Sequence, residues 1–417
     1  MKMKKYTRKI KNKMNKKNKK VTELSIEKLK NMRDEAKKIT DPRIKKKCTY
    51  KIWDIVCVVI IATIANCNEW EEIYDFAIEH RKWLRSFLLL TGGIPTAKTF
   101  ENVMTIINPN ELQKLCHYIY EELIIETRKG KDFYHFDGKI DKGSKRKRDK
   151  NNEKIKPLNV LNVYSECAGM CIDQEMIEDK TNEIPAIPKI IERLDLKGVI
   201  CTWDALNTQT DTVKAVIDKK GDYVGALKGN QGNFYKDVQD YFDEDRLLII
   251  QSGYEGAYKK EIEKSHSQII TYEYYQTEKV KWYEEHEKWE KLKSLGVVVK
   301  TMVGIDGKKT IEKRYYISSL LLDIKLFSEA IRKHWSVENK LHWQMDFTFK
   351  CDNNTTSNKK ALFNLQIIKK NALNILNIVK EDYGKCSLKR IRFKVGMNPE
   401  REIPKIFYLV REKMANL

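Results

Sequence analysis

The amino-acid sequence predicts an α/β protein in which an N-terminal helical domain precedes a mixed sheet with flanking helices. Apolar residues recur at helical spacing throughout residues 21–130, and strand signals are nearly absent there. From Phe133 onward, short apolar and aromatic runs bounded by turn residues indicate strands that alternate with helices. Helical spacing returns after Asp323 and continues to Val379, so helices also complete the core.

The changes in pattern divide the 417-residue chain into consecutive segments. We predict a disordered basic arm (1–20), a helical N-terminal domain (21–130), the first part of an α/β core (131–246), a β-rich insertion (247–322), the helical remainder of the core (323–380) and a basic C-terminal tail (381–417). The arm is almost entirely Lys, Arg, Asn and Met, a composition that does not support a packed core. It either lies along nucleic-acid phosphates or remains a solvated tail.

Two aspartates are predicted to follow strands of the core. The core strands are expected at residues 133–136, 158–164, 170–177, 198–203 and 223–227, and those of the insertion at 268–275, 297–303 and 314–319. Asp137 follows the first core strand and Asp204 follows the fourth. Both are therefore expected at one edge of the sheet. Taken singly, an Asp in such a position is more often a turn or cap residue.

Charge favours a polyanionic partner. Lys and Arg number 80 against 59 Asp and Glu, which gives a net charge of +21 and a pI near 9.3. This balance favours nucleic acid over an acidic small molecule as the partner. The sequence is also rich in Asn and Ile, so AT-rich coding is an alternative source of part of the lysine.

Cysteine usage and hydropathy predict a cytoplasmic protein with no membrane span. The nine cysteines are scattered and show no Cys-x2-Cys pair, a pattern typical of reduced thiols. The longest apolar run, Ile55 to Ala65, is about half of the roughly 20 residues that span a bilayer. We therefore interpret this run as a buried helix.

A helix with an unusual polar face is predicted from Arg332 to Phe347. His334, Glu338, His342 and Asp346 recur every four residues and so follow one line along this helix. We interpret Glu338 as the last member of a metal-binding carboxylate set. The alternative is a partly buried helix whose polar groups are all satisfied. Asp346, about 12 Å from Glu338 along a helix, is too distant to share an ion with it.

Asp137, Asp204 and Glu338 together form the predicted catalytic and metal-binding set. Hard oxygen ligands of this kind suit Mg²⁺ or Mn²⁺. Two such ions activate a water or a 3′-hydroxyl for in-line attack on a phosphodiester. A zinc site built from His334, Glu338 and His342 is a weaker alternative, because no fourth ligand is evident.

Five blocks of sequence occur in the order found in one known family. They are Phe136 to Lys139, Asp179 to Pro185, Thr202 to Gln209, Asp222 to Gln231 and Arg332 to Trp343. On these blocks the chain resembles the H-repeat-associated transposases of bacterial insertion sequences, over residues from about 50 to 377. The resemblance implies the DDE class, an RNase-H-like core and the triad Asp137, Asp204 and Glu338.

The resemblance also implies an activity and partners. Such an enzyme binds double-stranded DNA at the terminal inverted repeats of its element, cleaves it with two Mg²⁺ or Mn²⁺ ions, and joins the ends to target DNA. A homodimer on DNA and association with the nucleoid are expected. The alternatives are a metal-dependent nuclease without strand transfer, and a decayed or domesticated copy that only binds DNA.

Polar residues around the predicted triad are candidates for binding DNA. They are Lys139, Lys228, Asn230, Gln231, Arg332, His334, Lys340 and His342. Those in loops at the edge of the sheet are placed to meet scissile or flanking phosphates. The alternative is that they are loop residues without a function.

The chain departs from a signature found in many related transposases. The Tyr, Arg and Lys that those proteins carry around the catalytic Glu are Ile331, His334 and Met345 here. In relatives that signature supports a DNA-hairpin intermediate. The departure leaves the use of such an intermediate by this chain open.

Overall fold

The computed structural model describes residues 26–127, 131–144, 156–178, 182–265 and 268–416. The predicted basic arm, 1–20, lies outside the described residues. Within the described ranges, no helix is long and apolar enough to cross a membrane. The predicted buried helix at Ile55 to Ala65 is found as a helix from Ile52 to Ile64 whose residues are nearly all buried, with Ala65 directly after its end.

A single mixed sheet organises the described part of the chain. Its strands are β1 (Asp132–Asp141), β2 (Leu158–Ser165), β3 (Met170–Ile177), β4 (Val199–Trp203), β5 (Asp222–Leu227), β6 (Ala257–Ser265), β7 (Gln268–Thr277), β8 (Ser294–Val303) and β9 (Lys309–Ser318). Their order across the sheet is β3-β2-β1-β4-β5-β9-β8-β7-β6. β1 pairs antiparallel with β2 and parallel with β4, and β4 pairs parallel with β5. The predicted α/β fold with an RNase-H-like mixed sheet is confirmed.

The β-rich insertion continues the same sheet. β9 pairs antiparallel with β5, and β8, β7 and β6 follow outward as an antiparallel meander. The three strands predicted in the insertion are present, but β6 was not predicted. Its sequence, Ala-Tyr-Lys-Lys-Glu-Ile-Glu-Lys-Ser, carries charges along an edge strand and lacks the apolar alternation that signals a half-buried strand.

Helices cover both faces of the sheet. The N-terminal helices are α1 (26–36), α2 (Ile52–Ile64), α3 (Trp70–Glu79), α4 (Arg81–Leu84), α5 (Ala97–Ile106), α6 (Pro109–Tyr118) and α7 (Glu121–Thr127). Those among and after the strands are α8 (Ala186–Arg193), α9 (Thr210–Asp218), α10 (Asn233–Tyr241), α11 (Glu244–Gln251), α12 (Ile324–Val337), α13 (Trp343–Phe347), α14 (Lys359–Val379), α15 (Leu388–Met397) and α16 (Pro399–Ala415).

α14 joins the N-terminal helices to the sheet. It contacts α2, α5 and α6 on one side and β2 and β3 on the other, and it is buried almost all round. Two of its buried side chains donate hydrogen bonds to neighbouring elements: Asn364 donates to the Met104 carbonyl at 2.7 Å, and Lys370 donates to Gln174 Oε1 at 2.8 Å. Because a buried polar group without a partner is costly, these bonds help to fix how α14 sits between the two parts.

α12 covers the opposite face of the sheet. Its residues Phe327, Ala330 and Ile331 share a buried cluster with side chains from the core strands and from the insertion. Gly296 in β8 permits this close packing, since a Cβ there would lie 2.3 Å from Phe327 Cζ. α12 therefore holds the core and the insertion together along one face.

The segment predicted as a basic tail, 381–417, is largely folded as α15 and α16. Arg392 in α15 is fully buried, and burial lowers the pKa of its guanidinium to about 10. It donates to Asn68 Oδ1 at 3.0 Å and to the Thr63 carbonyl at 2.6 Å, and it lies 4.0 Å from the centre of the Phe349 ring. The basic composition suggested a tail, but one of its cations, Arg392, is buried and links α15 to the end of α2.

Replacing Arg392 by Leu is expected to lower the free energy of unfolding by about 3 kcal/mol, because it leaves buried carbonyl groups without donors. Urea denaturation measures the change. Arg390→Leu, at an exposed position of the same helix, is the matched control and is expected to stay within about 0.5 kcal/mol of the unaltered chain. Equal effects of the two substitutions would contradict this role for Arg392.

Candidate metal centre

Asp137 and Asp204 occupy equivalent positions on two neighbouring parallel strands. The last paired residues of β1 and β4 are Phe136 and Trp203, so each aspartate is the next residue along its strand. Asp204 ends β4 as predicted and begins a short 3₁₀ turn. Asp137 does not end its strand, because β1 continues to Asp141 through its pairing with β2.

Polar side chains of β1 and β4 lie next to the two aspartates on the same face of the sheet. Alternate residues of a strand point to the same face, so His135 shares a face with Asp137, and Thr202 shares a face with Asp204. Thr202 Oγ1 lies 2.6 Å from Nδ1 of His135 and 2.9 Å from Nδ1 of His334 on α12. Burial lowers the pKa of His135 well below its ordinary value, so this ring is neutral at neutral pH.

The helix predicted from Arg332 to Phe347 is interrupted where the site lies. α12 ends at Val337, a π-helical segment follows from Glu338 to His342, and α13 continues from Trp343. π segments are rare and often occur at functional sites. Here the segment begins at the predicted metal ligand Glu338.

Three donor groups converge beside this segment. One ligand atom each from Asp137, Glu338 and His342 lies within 4.8 Å of the others. His342 is almost fully buried, and its Nε2 is 2.9 Å from Asp137 Oδ2 but makes no hydrogen bond. A buried nitrogen that faces two carboxylates without hydrogen bonding fits a ligand of a cation. Carboxylates suit Mg²⁺ and Mn²⁺, and the imidazole is compatible with the less hard Mn²⁺.

Asp204 lies outside this group of three. Its Oδ1 is 3.8 Å from His334 Nε2, and contact with that imidazole holds the pKa of Asp204 below its usual range, although burial acts in the opposite direction. About 65% of the Asp204 side chain is exposed, so the carboxylate is open to a ligand. His334 therefore serves Asp204 and not the group around Glu338, which removes it from the alternative zinc set.

Three cations predicted to bind DNA are paired with acids of the chain. Lys139 donates to Asp346 at 2.6 Å, and Lys340 donates to Glu166 at 2.6 Å. Burial lowers the pKa of Lys139, but Asp346 more than offsets this, so the net shift is upward. Arg332 donates to Glu263. Among the predicted Lys and Arg contacts, Lys228 is the one without an ion pair to a described residue.

Asn230 and Gln231 brace the turn that follows Asp204. Asn230 Nδ2 donates to the Ala205 carbonyl at 2.8 Å. Gln231 Nε2 donates to the Ala205 and Thr208 carbonyls at 2.7 and 3.1 Å. Both amides predicted to meet phosphate are therefore engaged with the backbone beside the candidate site.

A cavity of roughly 210 Å³ opens next to Asp204. Lys228, Arg314, His334 and Trp335 contribute to its walls. The Arg314 guanidinium lies over the Trp335 ring at 5.1 Å and donates to Glu312 at 2.7 Å. The exposed side of Asp204 thus faces a recess with both aromatic and cationic walls.

Sequence reasoning missed Glu183 near the site. Its Oε2 accepts a hydrogen bond from Asn207 Nδ2 at 2.7 Å. Burial raises the pKa of the Glu183 carboxyl, and the charges of Asp137 and Asp204 add to the rise. The only signal in the sequence was its place in one of the five shared blocks, since nothing in its spacing relates it to the other acids.

The ion pair between Lys139 and Asp346 is expected to hold α13 against β1. Lys139→Met and Asp346→Ala are each expected to destabilise the protein, and the double variant is expected to lose less than the sum. The coupling should be about 1 kcal/mol. Urea denaturation of the four proteins measures it, with Lys142→Met as a control at an exposed position. Additive effects would contradict a direct pair.

Comparisons with known proteins relate the chain to one group of enzymes. A family model described as "Transposase DDE domain" matches residues 124–375, and one described as "DDE_Tnp_1-associated" matches residues 34–118. The chain is 33% identical over 370 residues to "Putative transposase YncI" of Escherichia coli O157:H7, covering 86% of this chain and 90% of that protein.

A further relative is "H repeat-associated putative transposase YhhI" of Escherichia coli (strain K12). It is 30% identical over 387 residues, covering 89% of this chain and 96% of that protein. A cryo-EM structure of a piggyBac transposase synaptic complex with hairpin DNA shares 11% identity at a TM-score of 0.36, over 90% of this chain and 79% of that one. That similarity is too low to bear on the fold or the site.

Proposed function

We propose that the chain is a DNA transposase, because it belongs to the H repeat-associated transposases of the DDE class. As a DNA transposase, it would bind the terminal inverted repeats of its insertion sequence, cleave the DNA and join the ends to target DNA. The observation that carries this proposal is the convergence of Asp137, Glu338 and His342 beside the strand that delivers Asp204.

The acids have separate roles in this proposal. Asp137, Glu338 and His342 would bind one divalent cation. Asp204 would bind a divalent cation on the side of the site that faces the cavity. Divalent cations there would activate a water or a 3′-hydroxyl and stabilise the leaving oxygen. His334 orients Asp204, and the neutral His135 and Thr202 hold the His334 ring in place. Mg²⁺ or Mn²⁺ is the expected metal.

DNA would approach the exposed side of Asp204. Lys228 is exposed there, and Arg314 lines the same cavity. The net charge of +21 favours a polyanion, and each neutralised phosphate releases counterions. Because two element ends must be processed together, we propose that the chain acts as a homodimer on DNA.

Asp137→Asn, Asp204→Asn and Glu338→Gln are each expected to reduce cleavage of an end-containing duplex on the order of a thousandfold or more. Each variant should retain DNA binding, because the substitutions remove metal-binding charge and leave the cationic surface intact. A cleavage assay in Mg²⁺ and a gel-shift assay in chelator measure the two properties. Asp218→Asn, exposed on α9, is the control. Strong cleavage by Asp204→Asn would sink the assignment.

Strand transfer separates a transposase from a nuclease. Pre-cut ends with a free 3′-hydroxyl are expected to join to target DNA in Mg²⁺, whereas ends with a 3′-deoxy terminus should not. A joining assay with labelled end DNA and a plasmid target measures the products. A protein that cleaves the duplex but never joins pre-cut ends would be a metal-dependent nuclease. A protein that binds ends but neither cleaves nor joins them would be a DNA-binding derivative.

A further inference from the structure

Glu183 lies between the two segments that carry the site aspartates. It precedes α8 in sequence, yet its Oε2 accepts a hydrogen bond from Asn207, three residues beyond Asp204. Its Oε1 lies over Gly138, the residue that follows Asp137. One carboxylate therefore contacts the backbone region of Asp137 and the turn of Asp204 at the same time.

Gly138 provides the space that the Glu183 carboxylate occupies. A Cβ at Gly138 would lie 2.0 Å from Glu183 Oε1 and 2.6 Å from its Cδ. The φ angle of Gly138 is not positive, so its backbone does not require glycine. Glycine is therefore needed at this position for space, and the Glu183 carboxyl group occupies that space.

A second observation points to a cation beside Asp137, on the side of Glu338. His342 Nε2 is buried, has no hydrogen-bond partner and faces Asp137 from the side of Glu338. The tight group of three contains Asp137 but neither Asp204 nor Glu183, so these two acids are available to a second cation. A cation held between the two aspartates would therefore have Asp137 on one side, Asp204 on the other and Glu183 adjoining both.

We propose that Glu183 is a fourth acidic residue of the metal centre and helps to hold a divalent cation between Asp137 and Asp204. This inference rests on the proposed transposase function. Burial and the charges of Asp137 and Asp204 raise the pKa of Glu183, and a divalent cation would offset the repulsion among these carboxylates. Asn207 fixes one oxygen of Glu183, so the other is oriented before the cation arrives.

Metal binding by the full chain tests the inference without relying on catalysis. Isothermal titration with MnCl₂ measures the affinity and the number of bound ions. Glu183→Gln keeps an oxygen that accepts the Asn207 hydrogen bond but removes the charge. It is expected to weaken at least one Mn²⁺ site about tenfold or more. Glu192→Gln, exposed on α8, is the matched control and should bind Mn²⁺ like the unaltered chain.

Gly138→Ala supplies an independent variant that leaves the charge present but displaces it. It is expected to weaken the same Mn²⁺ site as Glu183→Gln, and the double variant should show no further loss. Circular dichroism melts without metal report folding, and should be similar for all variants. If Glu183→Gln did not fold, the affinity of Gly138→Ala would decide the question.

The outcomes separate this inference from the function on which it rests. Tight Mn²⁺ binding by Glu183→Gln and Gly138→Ala, with a loss in Asp204→Asn, would overturn the role of Glu183 and leave the metal centre standing. Failure of the folded, unaltered chain to bind Mn²⁺ would overturn the metal centre itself, and the inference with it. Weaker Mn²⁺ binding by the two variants, their double and Asp204→Asn, with Glu192→Gln unchanged, supports the inference.

Discussion

The parallel pairing of β1 with β4 is the constraint on which the candidate site depends. It ends at Phe136 and Trp203, so Asp137 and Asp204 occupy equivalent positions on adjacent strands. Hydrogen-bonded strands lie about 4.8 Å apart, which brings residues 67 positions apart in sequence into one site. β2 supports this arrangement from the other side, because its pairing keeps β1 extended past Asp137.

The helix that covers this edge is positioned by polar contacts as well as by its apolar face. Along the line predicted from the sequence, His334 lies near Asp204, His342 near Asp137, and Asp346 binds Lys139. Each contact joins the helix to a residue at or beyond the end of the β1–β4 pairing. The π segment contains both Glu338 and His342, so its wider turn affects how these two residues meet Asp137.

The sequence was sufficient for the fold class and for placing Asp137 and Asp204 next to strand residues, because strand runs, turns and helical spacing are local patterns. It was insufficient for long-range pairing. Lys139 and Lys340 looked like free cations, since nothing local identifies Asp346 and Glu166 as their partners. Glu183 was missed for the same reason, because its local spacing does not identify Asn207 as its partner. The π segment also has no local signature, and the basic composition of 381–417 concealed the buried Arg392.

The departures from the related signature have a structural reading. Ile331 and Met345 are almost fully buried, at 2% and 0% exposure, so neither side chain lies where it would contact a phosphate. An apolar residue suits both places, whereas a Lys at position 345 would need a buried partner. His334 is the one of the three that reaches the site, through Asp204. In this chain the lysine and arginine side chains that share the cavity with Asp204 are Lys228 and Arg314, and His334 lies beside them.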